Sequence, residues 1–249
     1  MPIAILSAME EENTSLVEQM SHYEIIDLGR RRYFLGELFG HEVVVVFSHW
    51  GKVAASSTAT ALITRFDVSE ILFTGVAGGI DRSLNVGDIV VATQLYQHDM
   101  DARPLIDRHE IPLLGIAAIP VDPSRQHQLL GASTRFVQTR LREMISNEII
   151  DEFSLQSPEV VSAAIASGDQ FISSEADVEA IRQRLPDVVC VEMEGGAVAQ
   201  VCTEFGIPFS VVRTISDSAN EQAAIDFPEF IKEAARLYSL GIVRCWLEG

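Results

Sequence analysis

The segment VVCVEMEGGA, residues 188–197, carries the clearest fold signal in the chain. Its first four residues are mostly β-branched, which predicts the end of a buried strand. Glu192 and Glu194 follow, and an apolar helical run begins at Ala197. Both acids therefore stand between a strand and a helix, at the edge where open α/β sheets bind ligands. The same place suits helix capping, because carboxylates favour the positive end of a helix, so the segment alone supports either role.

Two further strand ends carry acids. A short apolar strand at 2–8 runs into the acidic triplet 10–12, and a strand at 209–214 runs into ISD at 215–217. Three acids in a first helical turn suit the helix dipole, yet we expect one of them to point back over the strand end. These two segments shift the interpretation of residues 188–197 from capping towards a site.

Strands and helices alternate along the rest of the chain, and the order predicts one three-layer α/β/α domain over residues 1–249 with a central, mixed, twisted sheet. Periodicity and turn residues also predict a hairpin at 33–48, strands at 71–74, 89–93 and 160–166, and a glycine-rich turn at 75–79. They predict helices at 53–66, from Pro123 to 149 or 150 with Asp122 as its N-cap, and at 174–185 with a capping box at Ser174 and Asp177. A last helix is capped by 226–229 and ends near 247.

Composition excludes several classes of protein. The net charge is −18 and the longest basic run is RRR at 30–32, so the footprint of a nucleic-acid-binding protein is missing. Hydrophobic residues make up 47% of the 249 residues, enough for a large core. We find neither a signal peptide nor a membrane-spanning run, and the three cysteines lack C-x-x-C spacing. A cytoplasmic protein with free, buried thiols is the expectation.

The segment 96–115 is irregular and long, which is typical of a lid or an interface. HDMD at 98–101 raises the possibility of a metal site, but no second histidine stands at ligand spacing. Its apolar residues predict packing against a second subunit, and they are Met100, Leu105, Ile106, Ile111, Leu113 and Leu114.

A family resemblance emerges from four phrases in order: AMEEE at 8–12, SGDQFI at 167–172, VEME at 191–194 and RTISD at 213–217. TGVAGG at 74–79 and VGD at 86–88 also match. Together they resemble the 5′-methylthioadenosine/S-adenosylhomocysteine nucleosidases of the nucleoside phosphorylase superfamily, over almost the whole chain. The resemblance implies a nucleoside phosphorylase-like fold, no metal or cofactor, and a homodimer in which the partner's loop lies near the 5′ pocket.

The resemblance also implies the reaction, which is hydrolysis of the bond between adenine and the thioribose. Asp217 is then the proton donor to purine N7, and Glu12 holds and activates the attacking water. Glu194 binds the ribose hydroxyls and Met193 lies along the sugar. Gly78 belongs to the substrate-binding loop.

In the same family pattern, Phe171 stacks on adenine and the Ile172 backbone bonds its edge. Arg213 supports the water and Ser216 supports the acid. The chain departs from the pattern at Val76, where relatives carry a serine. The segment 99–120, which faces the 5′ substituent in relatives, also diverges, so a preference among 5′ substituents does not carry over.

The chemistry supports the same roles. Cleaving a C–N glycosidic bond builds positive charge on the sugar, and adenine leaves well only when protonated. The reaction therefore needs an acid near the purine and a carboxylate on the side of the sugar that water attacks, as in two-carboxylate glycosidases. A phosphorylase would need cationic or N–H-rich groups for phosphate, whereas the first strand ends in three glutamates. The alternatives left open are a phosphorylase, a hydrolase of another purine nucleoside such as a futalosine-type substrate, and a non-catalytic nucleoside-binding protein.

Overall fold

The computed structural model describes residues 1–112, 114–220 and 223–249, with the backbone alone at 224–226. Eleven strands of this part of the chain pair into one sheet. They are β1 (Ile3–Ser7), β2 (His22–Leu28), β3 (Arg31–Leu38), β4 (His41–Phe47), β5 (Glu70–Thr74), β6 (Val76–Gly79), β7 (Ile89–Gln97), β8 (Ile119–Pro120), β9 (Val160–Ser167), β10 (Val188–Glu192) and β11 (Phe209–Asp217).

The helices of the same residues are α1 (Glu10–Val17), α2 (Lys52–Phe66), α3 (Pro123–Arg135), α4 (Leu141–Met144), α5 (Asn147–Glu152), α6 (Glu175–Arg184), α7 (Gly195–Phe205), α8 (Ala223–Phe230) and α9 (Arg236–Leu247). A π-helical turn joins α3 to α4, and another joins α8 to α9. None of the helices among the described residues has both the length and the apolar character needed to cross a bilayer.

The sheet is mixed, as predicted, and half of it closes on itself. Its order is β2-β3-β4-β1-β5-β11-β6-β10-β9-β7-β8, and β11 pairs in addition with β7. That pairing turns β11, β6, β10, β9 and β7 into a ring of five strands. The acids predicted at the ends of β10 and β11 therefore stand on one small barrel, while Glu12 follows β1 in the open half.

Helices cover both faces of the sheet. On one face α1, α3 and α9 pack together, and Leu16, Leu129 and Tyr238 share a buried apolar cluster. On the other face α2 packs on α7, and Leu62 and Val198 belong to a second cluster. Burial of these two apolar layers against the sheet supplies the main driving force for the fold. The predicted three-layer α/β/α architecture is confirmed.

Two predicted helix starts are confirmed. The Asp122 carboxylate accepts hydrogen bonds from the N–H groups of Ser124 and Arg125, at 2.9 and 3.2 Å. Ser174 Oγ accepts the N–H of Asp177 at 3.2 Å. Both side chains satisfy N–H groups that have no partner within their own helix.

The glycine-rich turn predicted at 75–79 is wrong for most of its length, because Val76–Gly79 is strand β6. The glycines serve close approach between strands. A Cβ on Gly78 would lie 3.0 Å from Asp217 Oδ1, and one on Gly79 would lie 3.3 Å from Ile215 Cγ2. Small residues thus allow β6 to fit between its neighbours.

Two long helices are also divided differently from the prediction. The helix from Pro123 breaks at Ile145, which is extended, and Ser146 caps α5. The break escaped the periodicity because Ile145 and Ile150 are both buried. Residues 226–229 lie inside α8 rather than capping the last helix, since α8 already begins at Ala223.

Further differences concern strands and loops. β2 was not predicted, because most of its side chains are exposed and the apolar alternation is missing. Residues 96 and 97, expected in the irregular segment, belong to β7. Within that segment Leu105 is exposed, whereas Ile111 is buried in its own chain. Leu113 lies outside the described residues.

Candidate active site

A cavity of about 330 Å³ opens where β1, β6, β9, β10 and β11 end or begin. Its lining is mostly apolar, with three carboxylates. The lining residues are Ala8, Met9, Trp50, Val76, Ala77, Gly78, Gln170, Phe171, Ile172, Val191, Glu192, Met193, Glu194, Ser216, Asp217 and Phe227. A pocket of this size and character is typical of small-molecule sites.

Glu192 is anchored by five donor atoms. Arg213 Nη2 and Nε donate to it at 2.7 and 3.2 Å. The N–H groups of Glu194 and Gly195 donate at 3.1 and 2.8 Å, and the Ser167 hydroxyl donates as well. Glu192 therefore caps the start of α7, as one interpretation of the sequence proposed, and also forms a buried ion pair.

Arg213 lies behind the cavity wall. Its side chain is fully buried, and its guanidinium stands 4.1 Å from the centre of the Phe73 ring. It also donates to the carbonyl oxygens of Phe73 and Val212, at 3.3 and 3.0 Å. The Arg213 cation is stable without hydration because Glu192, the Phe73 ring and two carbonyl oxygens surround it with negative charge.

Glu194 has no such cationic contact among the described residues. The N–H of Gly51, at the start of α2, donates to Glu194 Oε1 at 2.8 Å. Burial and the nearby charge of Glu192 raise the pKa of Glu194 to about 7, against the opposing effects of the Gly51 N–H and Arg213. A carboxylate that lines a cavity with a pKa near neutrality is suited to binding or proton chemistry.

Glu12 is the member of the acidic triplet that points inward, as expected. It is fully buried, and it accepts hydrogen bonds from the Ser239 hydroxyl at 2.5 Å and the Met9 N–H at 3.2 Å. Burial raises its pKa to about 7, although both hydrogen bonds and the charge of Arg213 lower it. Met9 lines the cavity, so Glu12 sits directly behind that wall.

Asp217 ends β11 and lines the cavity. The Ala219 N–H donates to its Oδ1 at 2.8 Å, and the Ser216 hydroxyl lies 2.8 Å from its Oδ2. The register of β11 against β6 shifts between Ile215 and Asp217. Such irregularities commonly re-aim side chains beside active sites, and Gly78 leaves the room that this one needs.

The opposite wall is aromatic. Phe171 and Phe227 meet edge to face, with ring centres 5.7 Å apart, and Ile172 lies beside them. Trp50 also lines the cavity, although the residue is 64% exposed. Sequence reasoning missed Trp50 and Phe227. The signal for Trp50 was its place directly before Gly51 and the start of α2.

The structure brings most of the predicted site residues to this cavity. Those that line it are Gly78, Phe171, Ile172, Met193, Glu194, Ser216 and Asp217. Glu12 and Arg213 are buried behind it. Across the described part of the chain, groups of three or more metal-ligating side chains are not found. The acids of HDMD at 98–101 are engaged instead with Lys52, Arg103 and Arg108.

Comparison with known proteins gives consistent matches. Residues 2–242 match the model of the phosphorylase superfamily. A 5′-methylthioadenosine/S-adenosylhomocysteine nucleosidase of Anoxybacillus flavithermus is 36% identical over 246 residues, 98% of this chain and 97% of the relative. The nucleosidase of the same description from Neisseria meningitidis, solved with methylthio-immucillin-A, superposes with a TM-score of 0.85 at 32% identity, covering 99% and 98% of the two chains. A futalosine hydrolase of Helicobacter pylori superposes with a TM-score of 0.82 at 33% identity, covering 99% and 97%.

Proposed function

The chain belongs to the phosphorylase superfamily and, within it, to the 5′-methylthioadenosine/S-adenosylhomocysteine nucleosidases, and from this membership and its cavity we propose its reaction. It hydrolyses the N-glycosidic bond of 5′-methylthioadenosine and S-adenosylhomocysteine. The products are adenine and the corresponding 5-thioribose. The relatives support the choice of substrate, and the geometry supports the choice of water as the nucleophile.

One observation carries the choice of hydrolysis over phosphorolysis. The described residues that line the cavity include three acids and neither lysine nor arginine. Arg213, which lies behind the cavity wall, is already bound by Glu192. Phosphate needs cations or converging N–H groups, so this cavity opposes it, whereas water is neutral and meets carboxylates that can orient it.

The proposed reaction uses an acid and a base. Asp217 donates a proton to purine N7 as the bond from the sugar carbon to N9 breaks and its electron pair moves into the purine. Water attacks the sugar carbon and gives its proton to Glu12. A base with a pKa of about 7 is about half ionised at neutral pH and largely ionised above it, and it still accepts a proton readily. Ser216 holds the Asp217 carboxyl, and Arg213 acts on the water side through Glu192 and the charge it places near Glu12.

The remaining site residues bind the nucleoside. Glu194 accepts hydrogen bonds from the ribose hydroxyls, and Met193 lies along the sugar. Phe171 stacks on the purine and the backbone of Ile172 bonds its edge. Gly78 keeps the floor open beside Asp217, because a side chain there would meet the carboxylate.

The substrate is tested directly by base release. The purified protein, without added metal, is incubated with methylthioadenosine, S-adenosylhomocysteine, adenosine and a futalosine-type nucleoside, each with and without phosphate. We expect adenine from the first two at a rate independent of phosphate. Faster release from the futalosine-type nucleoside would favour the second candidate, which the Helicobacter pylori structure supports. Strict dependence on phosphate would make the protein a phosphorylase.

A homodimer belongs to the same proposal. Trp50 and Leu105 are 64% and 88% exposed, and Trp50 stands at the cavity mouth. We propose that the loop around Leu105 packs on a second copy and closes the 5′ side of its cavity. Leu105→Glu should then weaken the dimer in light scattering and raise KM for methylthioadenosine. Leu28→Glu, at the exposed edge strand β2, is the matched control and should change neither.

The cellular location is a proposal of the same kind. All three cysteines are free and buried. Free thiols are typical of a reducing compartment, and we place the protein in the cytoplasm. Fractionation of cells that produce it, with activity as the marker, tests this.

A further inference from the structure

The turn that holds Glu194 lacks a local cap. Gly51, whose N–H binds Glu194, is the N-cap residue of α2 and carries no side chain. Its φ of 86° lies in the region that favours glycine. The first N–H groups of a helix have no partner within the helix. The orientation of residues 51–52 therefore depends on groups from elsewhere in the chain.

Asp169, in the segment that follows β9, supplies the missing cap. The N–H of Lys52, the first residue of α2, donates to Asp169 Oδ1 at 2.7 Å. The fit is close, because a Cβ on Gly51 would lie 2.9 Å from the same oxygen. Asp169 follows β9 and leads directly into Gln170, Phe171 and Ile172, which line the cavity. The Asp169 carboxylate thus connects residues 51–52, which contact Glu194, to the aromatic wall of the cavity.

A second carboxylate, that of Asp99, holds Asp169 in position. Lys52 Nζ donates to Asp99 Oδ1 at 2.6 Å and to Gln97 Oε1 at 3.1 Å. Asp99 Oδ2 accepts the N–H of Asp169 at 2.9 Å. Burial raises the pKa of Asp99, but the hydrogen bonds from Lys52 and Asp169 outweigh it and leave the pKa lowered.

The position of Lys52 also indicates a specific task. A cation in the first turn of a helix is unfavourable, because the helix dipole is positive there. The Lys52 and Asp99 side chains are only 18% and 20% exposed, so their contact is largely shielded from water. Neither side chain is among those that line the cavity.

From this ring of contacts we infer that Lys52 and Asp99 are positioning residues. Through Gly51 they orient Glu194, the ribose-binding carboxylate, and through Asp169 they orient the segment 170–172, which stacks on the base. The inference rests on the proposed function for the roles of Glu194 and Phe171. Its physical content is independent of that function: removing the Lys52 to Asp99 contact loosens residues 51–52 and 169–172 together.

The test compares four variants of the full chain. Lys52→Met removes the ammonium, and Asp99→Asn leaves one oxygen for two donors. Lys52→Arg keeps the charge and tests rescue. Arg140→Met is the matched control, because it breaks the Arg140 to Glu248 ion pair away from the cavity. Each is assayed for kcat and KM with methylthioadenosine across pH, for melting temperature, and for hydrogen exchange of peptides that contain residues 51–52 and 169–172.

We expect Lys52→Met and Asp99→Asn to lower kcat/KM about tenfold, mainly through KM, as for a weakened hydrogen bond to a charged group. A less well-aimed Gly51 N–H favours the ionised form of Glu194 less, so the acidic limb of the pH profile should move to higher pH. Exchange should quicken in both peptides. Lys52→Arg should recover part of each effect, and Arg140→Met should show none.

Two results would overturn the inference. In one, Lys52→Met and Asp99→Asn keep the wild-type pH profile and exchange rates. In the other, Arg140→Met shifts them equally, which would reflect a general loss of stability. A wild-type protein that releases no adenine contradicts the proposed function instead, and hydrogen exchange then decides the positioning of residues 51–52 and 169–172 alone.

Discussion

Glu192 and Glu194 stand two residues apart at the end of β10, yet their surroundings differ. Glu192 binds a cation, a hydroxyl and two backbone N–H groups. Glu194, like Glu12, has no cation within hydrogen-bond distance among the described residues, and burial raises both of their pKa values to about 7. We call Glu192, Arg213 and Ser167 the anchored centre, and Glu12 and Glu194 the open acids. The difference indicates that donors decide the role: a fully bonded carboxylate holds the fold, and a sparsely bonded one is free for chemistry.

The largest expected effect is on an open acid. Glu12→Gln keeps the shape of the side chain but cannot take a proton from water, so kcat should fall about a hundred- to ten-thousandfold. The acidic limb of the wild-type pH profile, expected near pH 7, should lose the contribution of Glu12 and keep only that of Glu194.

The control for this change lies in the same helical turn. Glu11 is exposed, and Glu11→Gln should leave kcat within about twofold of wild type, because solvent already screens its charge. Equal losses in the two variants would mean that the turn as a whole, and not the buried carboxylate, matters.

The anchored centre predicts the opposite pattern. Glu192→Gln leaves the Arg213 guanidinium buried without its counter-charge, which should lower the free energy of unfolding by about 3–5 kcal/mol. Glu194→Gln removes no cation's partner and should cost less than about 1 kcal/mol, while weakening substrate binding. Urea denaturation measures both. Similar unfolding midpoints for the two variants would erase the distinction between anchored and open acids.

The pH dependence of stability sharpens the comparison further. The folded-state pKa of Glu12, about 7, is above its ordinary value of 4.5, so the folded state binds the proton more tightly than the unfolded one. Its stabilising contribution is full below pH 4.5 and is lost as pH rises to 7, a change of about 3 kcal/mol.

Other groups titrate in the same window, so the informative quantity is a difference between two proteins. Glu12→Gln should gain on wild type in unfolding free energy between pH 5 and 8, and Glu11→Gln should track wild type. A constant gap between Glu12→Gln and wild type would show that Glu12 titrates alike in the folded and unfolded chain.

Much of this arrangement was predictable from the sequence, for identifiable reasons. Acids at the ends of β1, β10 and β11 stood out because a strand pattern ran into each of them. The contacts that separate Glu192 from Glu194 did not, because their partners lie far away in the chain: Arg213 follows Glu192 by 21 positions, and Gly51 precedes Glu194 by 143. Likewise β6 was predicted as a turn, since glycines signal turns locally and close strand approach only in three dimensions.

The smallest expected effect concerns Val76, the position where the family resemblance of the sequence implies a serine. Val76 lines the cavity, is 7% exposed and shares a buried cluster with Met9, whose N–H binds Glu12. An apolar wall here helps to exclude water from the open acids and so helps to keep their pKa values raised. Val76→Thr adds a hydroxyl at nearly constant size, and Val76→Ala removes bulk without adding one.

A hydroxyl at this position should lower the cost of ionising Glu12, so Val76→Thr should move the acidic limb to lower pH by less than about one unit and change kcat by less than about tenfold. Val76→Ala should leave the limb nearer to its wild-type position, because the wall stays apolar, and lower stability by about 1–2 kcal/mol through lost packing. The pH profiles of kcat/KM and the unfolding midpoints of the three proteins separate the two causes. If Val76→Ala moves the limb as far as Val76→Thr, access of water through a thinner wall sets the pKa of the open acids, and a hydroxyl at this position contributes nothing specific.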